Sequence, residues 1–250
     1  MSKLGKRLRQ VLDDSVQPLG FRTAPQSTGR PMVVIACLTG PDVGVVGRIA
    51  GTGIDGIVVR EQGGSQSKTL KGLAGSAGAT PWGIWGDAAT EELVQGVKEA
   101  GGDFVVIEAA TASAALLQEE ELAKLLLADL PSEEKLAGAI SDLPVDAVLM
   151  RVKSEGTSLT ISEVIRCQWL AGLVNKPVLV FATEELSGKD VPSLWEAGAK
   201  GVVLQLPPER LEDGLARLLQ VVESLPSHAR RRAGRRVVIP RLSYDAEEGD

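Results

Sequence analysis

Histidine, tyrosine and asparagine occur once each in these 250 residues, cysteine twice, and aromatic side chains make up only 3%. Each scarcity narrows the chemistry. The one histidine, His228, falls near the C-terminus, as does the one tyrosine, Tyr244. That argues against histidine-based general catalysis and histidine-rich metal sites, so a base in the body of the chain has to be a carboxylate or a lysine with a shifted pKa. Cys37 and Cys167 are too few for a disulfide framework or a cysteine zinc cluster. Both sit in apolar segments and read as small buried hydrophobes in a reducing, cytoplasmic setting. The first residues, MSKLGKRLRQVLDD, lack the continuous apolar core of a secretory signal. No apolar run reaches the ~18 residues of a membrane-spanning helix. The lone Asn175 fits heat adaptation or codon bias equally and decides nothing.

What is present is enough apolar material for a sizeable core. Hydrophobic residues are 44% and charged ones 24%, with a mean hydropathy of +0.07, which excludes disorder for most of the chain. The net charge of -6 is unevenly spread. Residues 1–31 carry +4, residues 32–225 carry -12, and residues 226–250 carry +2. An acidic middle is a poor surface for nucleic acid. An anionic partner would have to be met by the two ends.

Short β-branched and aliphatic runs recur along the middle. They are Met32–Leu38, Gly56–Arg60, Pro81–Trp85, Asp103–Glu108, Lys124–Ala128, Asp146–Val152, Pro177–Ala182 and Gly201–Leu206. Their continuous hydrophobicity suits parallel strands covered on both faces. Helical patterns lie between several of them: 87–100, with acidic residues in its first turn; 132–140, opened by Ser132 as an N-cap; 158–173; and 208–225. The lead-in to four strands also repeats, in Gly53-Ile-Asp-Gly, Ala100-Gly-Gly-Asp, Leu143-Pro-Val-Asp and Ala197-Gly-Ala-Lys. Glycine or proline stops the preceding segment and a polar residue follows. The fifth run is the weakest, since TASAALLQEEELAKLLLAD also reads as one helix beginning near Ala112.

Eight strand–helix units in about 190 residues most simply close into a ring through right-handed crossovers. The expected fold is α/β, a (β/α)8 barrel over residues 32–225, preceded by a basic amphipathic extension (1–31) and followed by an extended tail (226–250). An open doubly wound sheet is the alternative. The passage Trp195-Glu-Ala-Gly-Ala-Lys-Gly-Val-Val-Leu resembles the last helix-to-strand passage of TIM barrels, and the chain is similar in outline to the compact aldolase-type barrels. The resemblance is one of architecture and carries no family signature.

In such a barrel the chemistry sits at the carboxyl ends of the strands. That rule gathers Thr39, Asp42, Arg60, Glu61, Trp85, Asp87, Glu108, Asp129, Arg151, Lys153, Thr183, Glu184 and Gln205. Lys153 resembles the Schiff-base lysine of class I aldolases, with Glu61 as general acid/base; its other reading is a solvated lysine in an exposed turn. Glu108 and Asp129 together suit Mg2+ or Mn2+, as in metal-dependent oxo-acid aldolases, although the full motif of those enzymes is absent. The simpler reading is an ion pair such as Glu108 with Arg151. Arg60, Arg151, Thr183 and Gln205 are the substrate-binding candidates, with the arginines clamping a carboxylate. A phosphate site is disfavoured, because strand eight leads into Leu206-Pro207-Pro208-Glu209 and strand seven into Thr183-Glu184-Glu185. Gly63 to Lys68 offers a better anion nest, in a glycine-rich stretch reaching Gly78 that reads as a flexible lid.

Residues 2–16 form a helix pattern with Leu4, Leu8, Val11 and Leu12 on one side and Lys3, Lys6, Arg7 and Arg9 near the other. It suits docking with a partner or a second copy, plugging the barrel floor, or resting on an anionic membrane. The functional expectation is a small-molecule-binding barrel, a lyase of aldolase type acting on a small carboxylated carbonyl compound. The alternative is a non-catalytic barrel that assembles through its charged termini as a homo-oligomer or with a protein partner.

Overall fold

A computed structural model describes residues 2–13, 29–40, 42–61, 66–86, 89–128, 134–152 and 159–226. Within them the elements run α1 (Lys3–Asp13), β1 (Val33–Thr39), α2 (Val43–Ile49), β2 (Gly56–Glu61), α3 (Gln66–Ala77), β3 (Trp82–Gly86), α4 (Glu91–Glu99), β4 (Phe104–Glu108), a 3-10 helix (Ala114–Gln118), β5 (Ala123–Leu127), α5 (Glu134–Asp142), β6 (Ala147–Arg151), α6 (Ile161–Leu173), β7 (Val178–Ala182), α7 (Asp190–Glu196), β8 (Gly201–Gln205) and α8 (Pro208–Ser224). The eight strands form a closed parallel barrel in sequence order. β1 pairs with both β2 and β8, which rules out the open sheet.

The strand register has the offset that closure requires. It runs from Thr39 through Arg60, Trp85, Val106, Leu125 and Ala147. Carried on through Pro177 and Ala199, the same register returns to β1 at Pro31 rather than Thr39. That shift is the stagger of an eight-stranded barrel with tilted strands.

Alternation along each strand divides the buried residues into two clusters. The outward residues Val34, Ala36, Val105, Val148, Val180 and Val202 pack under the helices. The inward ones, among them Ile35, Val58, Trp85, Phe104, Val106, Leu125, Leu149, Phe181 and Val203, fill the barrel. A side chain at Gly83 would place Cβ 2.3 Å from the Phe104 carbonyl oxygen and 2.7 Å from its ring, so glycine there makes room for the largest residue low in the barrel.

The helices begin as their sequences dictate. Asp42 Oδ1 accepts from Val45 N to cap α2, Thr90 Oγ1 accepts from Leu93 N to cap α4, and Thr160 with Glu163 forms a capping box on α6. One expectation is corrected and one alternative is set aside. Residues 66–77, read as part of a flexible lid, form α3, which buries Leu70, Leu73 and Ala77. The helix-like run from Ala112 breaks into the 3-10 helix and β5. There Lys124 projects outward from β5, and its Nζ donates to the carbonyls of Leu117 and Glu119. Burial of Lys124 lowers its pKa, opposed by Asp146, Glu119 and Glu120. The ammonium thus satisfies carbonyls at the end of the short helix, and a continuous helix would lose that contact.

The floor is closed by α1. Leu4, Leu8 and Val11 join the interior cluster beside Val33, Phe104, Ala123, Ala147 and Leu179. The first N–H groups of α1 all have acceptors: Lys3 N and Leu4 N donate to Asp103, Gly5 N to Ser2 Oγ and Lys6 N to Ser2 O. Asp55 accepts from Val34 N, Arg7 and Arg30, and Asp146 accepts from Lys124 N. The aspartates of the repeated lead-ins are therefore floor fasteners. Of the positions considered for the N-terminal helix, the floor plug is the one observed. No helix among the described residues is long and apolar enough to cross a membrane. The tail beyond 226 lies outside the described residues.

Candidate functional site

The inward series of five strands changes character at its last rung. Val33, Ile35 and Cys37 lead to Thr39; Val58 to Arg60; Phe104 and Val106 to Glu108; Ala147 and Leu149 to Arg151; and Val203 to Gln205. Two-residue alternation carries these polar ends over the apolar interior, at the carboxyl ends of the strands. The mouth is thus a polar layer on an aromatic base.

Trp85 is the centre of that base. It is fully buried from solvent, meets Phe181 edge to face with centroids 4.8 Å apart, and donates Nε1–H to Glu108 Oε1 at 3.0 Å. Two guanidinium groups lie against it. The Arg60 Cζ is 4.9 Å from the Trp85 ring centroid and the Arg151 Cζ is 5.9 Å from it, while Arg151 is also 5.5 Å from Phe181. Stacking of this kind contributes about 0.5–2 kcal/mol and fixes each long side chain on a rigid platform. Trp85 was foreseen only as a residue after strand three. Its inward parity and its place two residues beyond Gly83 were the available signal.

Glu108 and Arg151 form the ion pair expected as the simpler reading. Their separation of 3.9 Å is long for a hydrogen bond, and both side chains remain about a quarter exposed. Arg151 Nε is buried with no hydrogen-bond partner. The group is a guanidinium with an incomplete set of acceptors. Both of these contacts of Glu108 fall on Oε1.

Thr39 and Gln205 close the seam between β1 and β8. Gln205 Nε2 donates to Thr39 Oγ1 at 3.0 Å, and the Cys37 thiol lies 3.6 Å from Gln205 Oε1. These contacts fix the direction of the amide. Burial pushes the Cys37 thiol up to about 12, with the Arg60 charge opposing, so this thiol is no nucleophile at neutral pH.

The structure therefore brings together Arg60, Glu108, Arg151 and Gln205. Thr183 is exposed after β7. Asp42 serves as a helix cap. Lys153 and Asp129 lie outside the described residues, and so does the side chain of Glu61, whose backbone ends β2. The anion nest at Gly63–Lys68 falls largely outside them as well. Among the described residues no three histidine, cysteine, aspartate or glutamate side chains converge as a metal site.

A scan against protein families finds no match, and neither does a search of curated proteins. Solved structures share the fold. An HpcH/HpaI aldolase from Desulfitobacterium hafniense is 14% identical, with a TM-score of 0.54 over 78% of this chain and 94% of that one. A mutant tryptophan synthase alpha-subunit from Pyrococcus furiosus is 15% identical, with a TM-score of 0.57 over 76% and 96%. A tryptophan synthase from M. tuberculosis is 13% identical, with a TM-score of 0.58 over 89% and 97%. At such identities the likeness is one of fold alone and carries neither activity nor substrate.

Proposed function

We propose that the mouth binds a small carboxylated carbonyl compound and serves its cleavage at a carbon–carbon bond, as an aldolase-type lyase. The observation that carries this reading is Arg151. A buried Nε without an acceptor, beside a counter-charge at 3.9 Å, is a cation that a ligand carboxylate completes with two parallel hydrogen bonds. Arg60 adds a second positive group over the same aromatic base. In a retro-aldol step a base removes the hydroxyl proton, the carbon–carbon bond breaks, and its electron pair moves onto the carbonyl as an enolate. Glu108 is placed to move the proton, and the guanidinium groups to stabilise the enolate. The aldolase among the structural neighbours is compatible with this chemistry but does not assign it.

Titration calorimetry with a panel of 2-oxo acids tests the reading. Saturable binding is expected, lost by at least ten-fold in Arg151→Met. A panel with no ligand at millimolar concentration overturns it. The lysine form of the mechanism expects a borohydride-trapped mass adduct at Lys153; the metal form expects Mg2+ or Mn2+ to raise Tm through Glu108 and Asp129. A second reading rests on the outer side of α1, where Lys3, Lys6 and Arg9 remain exposed after the apolar side is buried. On that reading the barrel assembles with a protein partner or a second copy through its basic ends. Removal of residues 226–250 would then change the particle size in light scattering.

A further inference from the structure

Among the described residues only three large apolar side chains are exposed, and two of them, Ile161 at 80% and Ile165 at 59%, stand one turn apart on α6. The outward line of this helix reads Ile161, Ile165, Gln168 and Gly172, all exposed, opposite the buried Glu163, Cys167 and Leu170. It carries no charge. Half-buried Val164, Trp169 and Leu173 flank it, and Arg166 is the one charge on the open part of the helix. The outer sides of other helices are charged: Glu91, Glu92 and Glu99 are exposed on α4, and Glu212, Asp213 and Arg217 on α8. A surface gives up its charges where a partner covers it.

We propose that this face of α6 is the seat of a second copy of the chain, packed antiparallel about a two-fold axis. Its residues follow one another at intervals of four, three and four, the spacing of a coiled-coil seam. The same intervals are symmetric about the midpoint between residues 166 and 167. An antiparallel copy turned about that point sets Ile161 of one chain over Gly172 of the other, and Ile165 beside Gln168. No heavy atom lies within 4 Å of where a Cβ on Gly172 would stand, so the glycine is an open hollow for the isoleucine. A surface that fits itself in this way is what an isologous dimer needs. α6 is only about 20 Å long. A stable dimer buries about 800 Å2 on each partner, so α5 and α7, which pack against α6, take part as well. On α5, Gly138 also faces open space and Ala139 is exposed, which lets that helix approach its counterpart. On α7, Lys189 at the start and Glu196 at the end are both exposed, and the exchange of ends brings unlike charges together. The interface lies on the side of the barrel, away from the mouth and from α1, so it depends neither on the ligand reading nor on the basic ends.

Sedimentation equilibrium of the full chain at micromolar concentration is the test. A particle of twice the chain mass is expected. Ile165→Lys and Gly172→Ile should each weaken the dimer at least ten-fold, the first by placing a charge in the seam and the second by filling the hollow. Both positions are exposed, so circular dichroism should show the fold intact in the dissociated variants. Ile161→Ala combined with Gly172→Ile moves the large side chain to the other end of each pair and should restore the dimer that Gly172→Ile alone loses. A wild-type chain that stays monomeric overturns the proposal and leaves the face to a different partner. A dimer indifferent to Ile165→Lys also overturns it, because another surface then holds the two copies. A combined variant that stays apart overturns the pairing of 161 with 172.

Discussion

The two ends of this barrel treat their charges differently. At the floor the buried aspartates that meet α1 are each held by several donors. Asp55 accepts from two arginines and a backbone N–H, and Asp103 takes two backbone N–H groups and a hydroxyl at the start of α1. At the mouth the best counter-charge of Arg151 stands at 3.9 Å and its Nε has no acceptor. Buried polar groups are costly unless satisfied, so a satisfied end holds the fold and an under-satisfied end is held by it for another purpose. The difference teaches where stability and function separate along the strand direction.

That comparison is broken most forcefully from the floor side. Phe104 fills the lower barrel beneath α1, fully buried among Val33, Ala123 and Leu179. Phe104→Ala is expected to cost about 3–5 kcal/mol, read from urea denaturation, because the glycine-lined space around it cannot collapse. A loss below ~1 kcal/mol would show that the floor is not rigidly packed. Asp55→Ala comes next, at about 2–3 kcal/mol. It strands Val34 N and leaves Arg7 and Arg30 without their shared carboxylate. Neither change should alter ligand affinity in the molecules that remain folded.

The cysteines sharpen the same division with pH. Cys37 and Cys167 are raised from 9.0 to about 12, in both cases chiefly by burial. A folded pKa above the unfolded one means that the unfolded chain loses its thiol protons first. Stability from this source is therefore whole below about pH 9 and falls as pH rises toward 12, by on the order of 1 kcal/mol per pH unit for each thiol. The difference in denaturation midpoint between the protein and its Cys37→Ala, Cys167→Ala form should shrink with rising pH over that window. A constant difference would mean that the thiols are solvated.

The strands were legible because parallel strands buried on both faces leave continuous aliphatic runs, and every expected strand lies within one residue of its observed bounds. The β4–β5 connection was not, because helix propensity in Ala114–Leu127 points one way and the tertiary contact of Lys124 with two carbonyls points the other. At the mouth the arginines, Glu108 and Gln205 followed from counting to strand ends. Their common platform did not, since it needs side-chain parity as well as position. Val106 and Glu108 share a face and Ile107 does not; the same count puts Trp85 inside beneath Arg60 and Arg151. The aspartates before β2, β4 and β6 read as punctuation, whereas Asp103 and Asp55 hold α1 from distant parts of the chain and Asp146 holds Lys124 N of β5.

Trp85→Phe tests the platform itself. It keeps a ring under both guanidinium groups and removes the hydrogen bond to Glu108. The expected stability loss is about 1 kcal/mol, with a larger effect on turnover than on binding, since Glu108 loses its orientation while the clamp stays. Equal losses in kcat and in affinity would assign Trp85 to ligand contact instead.

Arg151→Met should have the smallest effect on stability and is the most telling. Methionine keeps much of the aliphatic length that packs beside Phe181 and gives up the stacked charge. The ion pair it breaks is long and partly exposed, of a kind that contributes about 0–1 kcal/mol, and removing the buried Nε removes an unsatisfied donor. The lost stacking and ion pair are offset in part by removing that donor, so Tm should fall by no more than a few degrees. Ligand affinity should fall at least ten-fold in the same variant. Were Arg151→Met instead to cost as much stability as Asp55→Ala, the mouth arginine would be a fastener like those of the floor, and the separation between the two ends would fail.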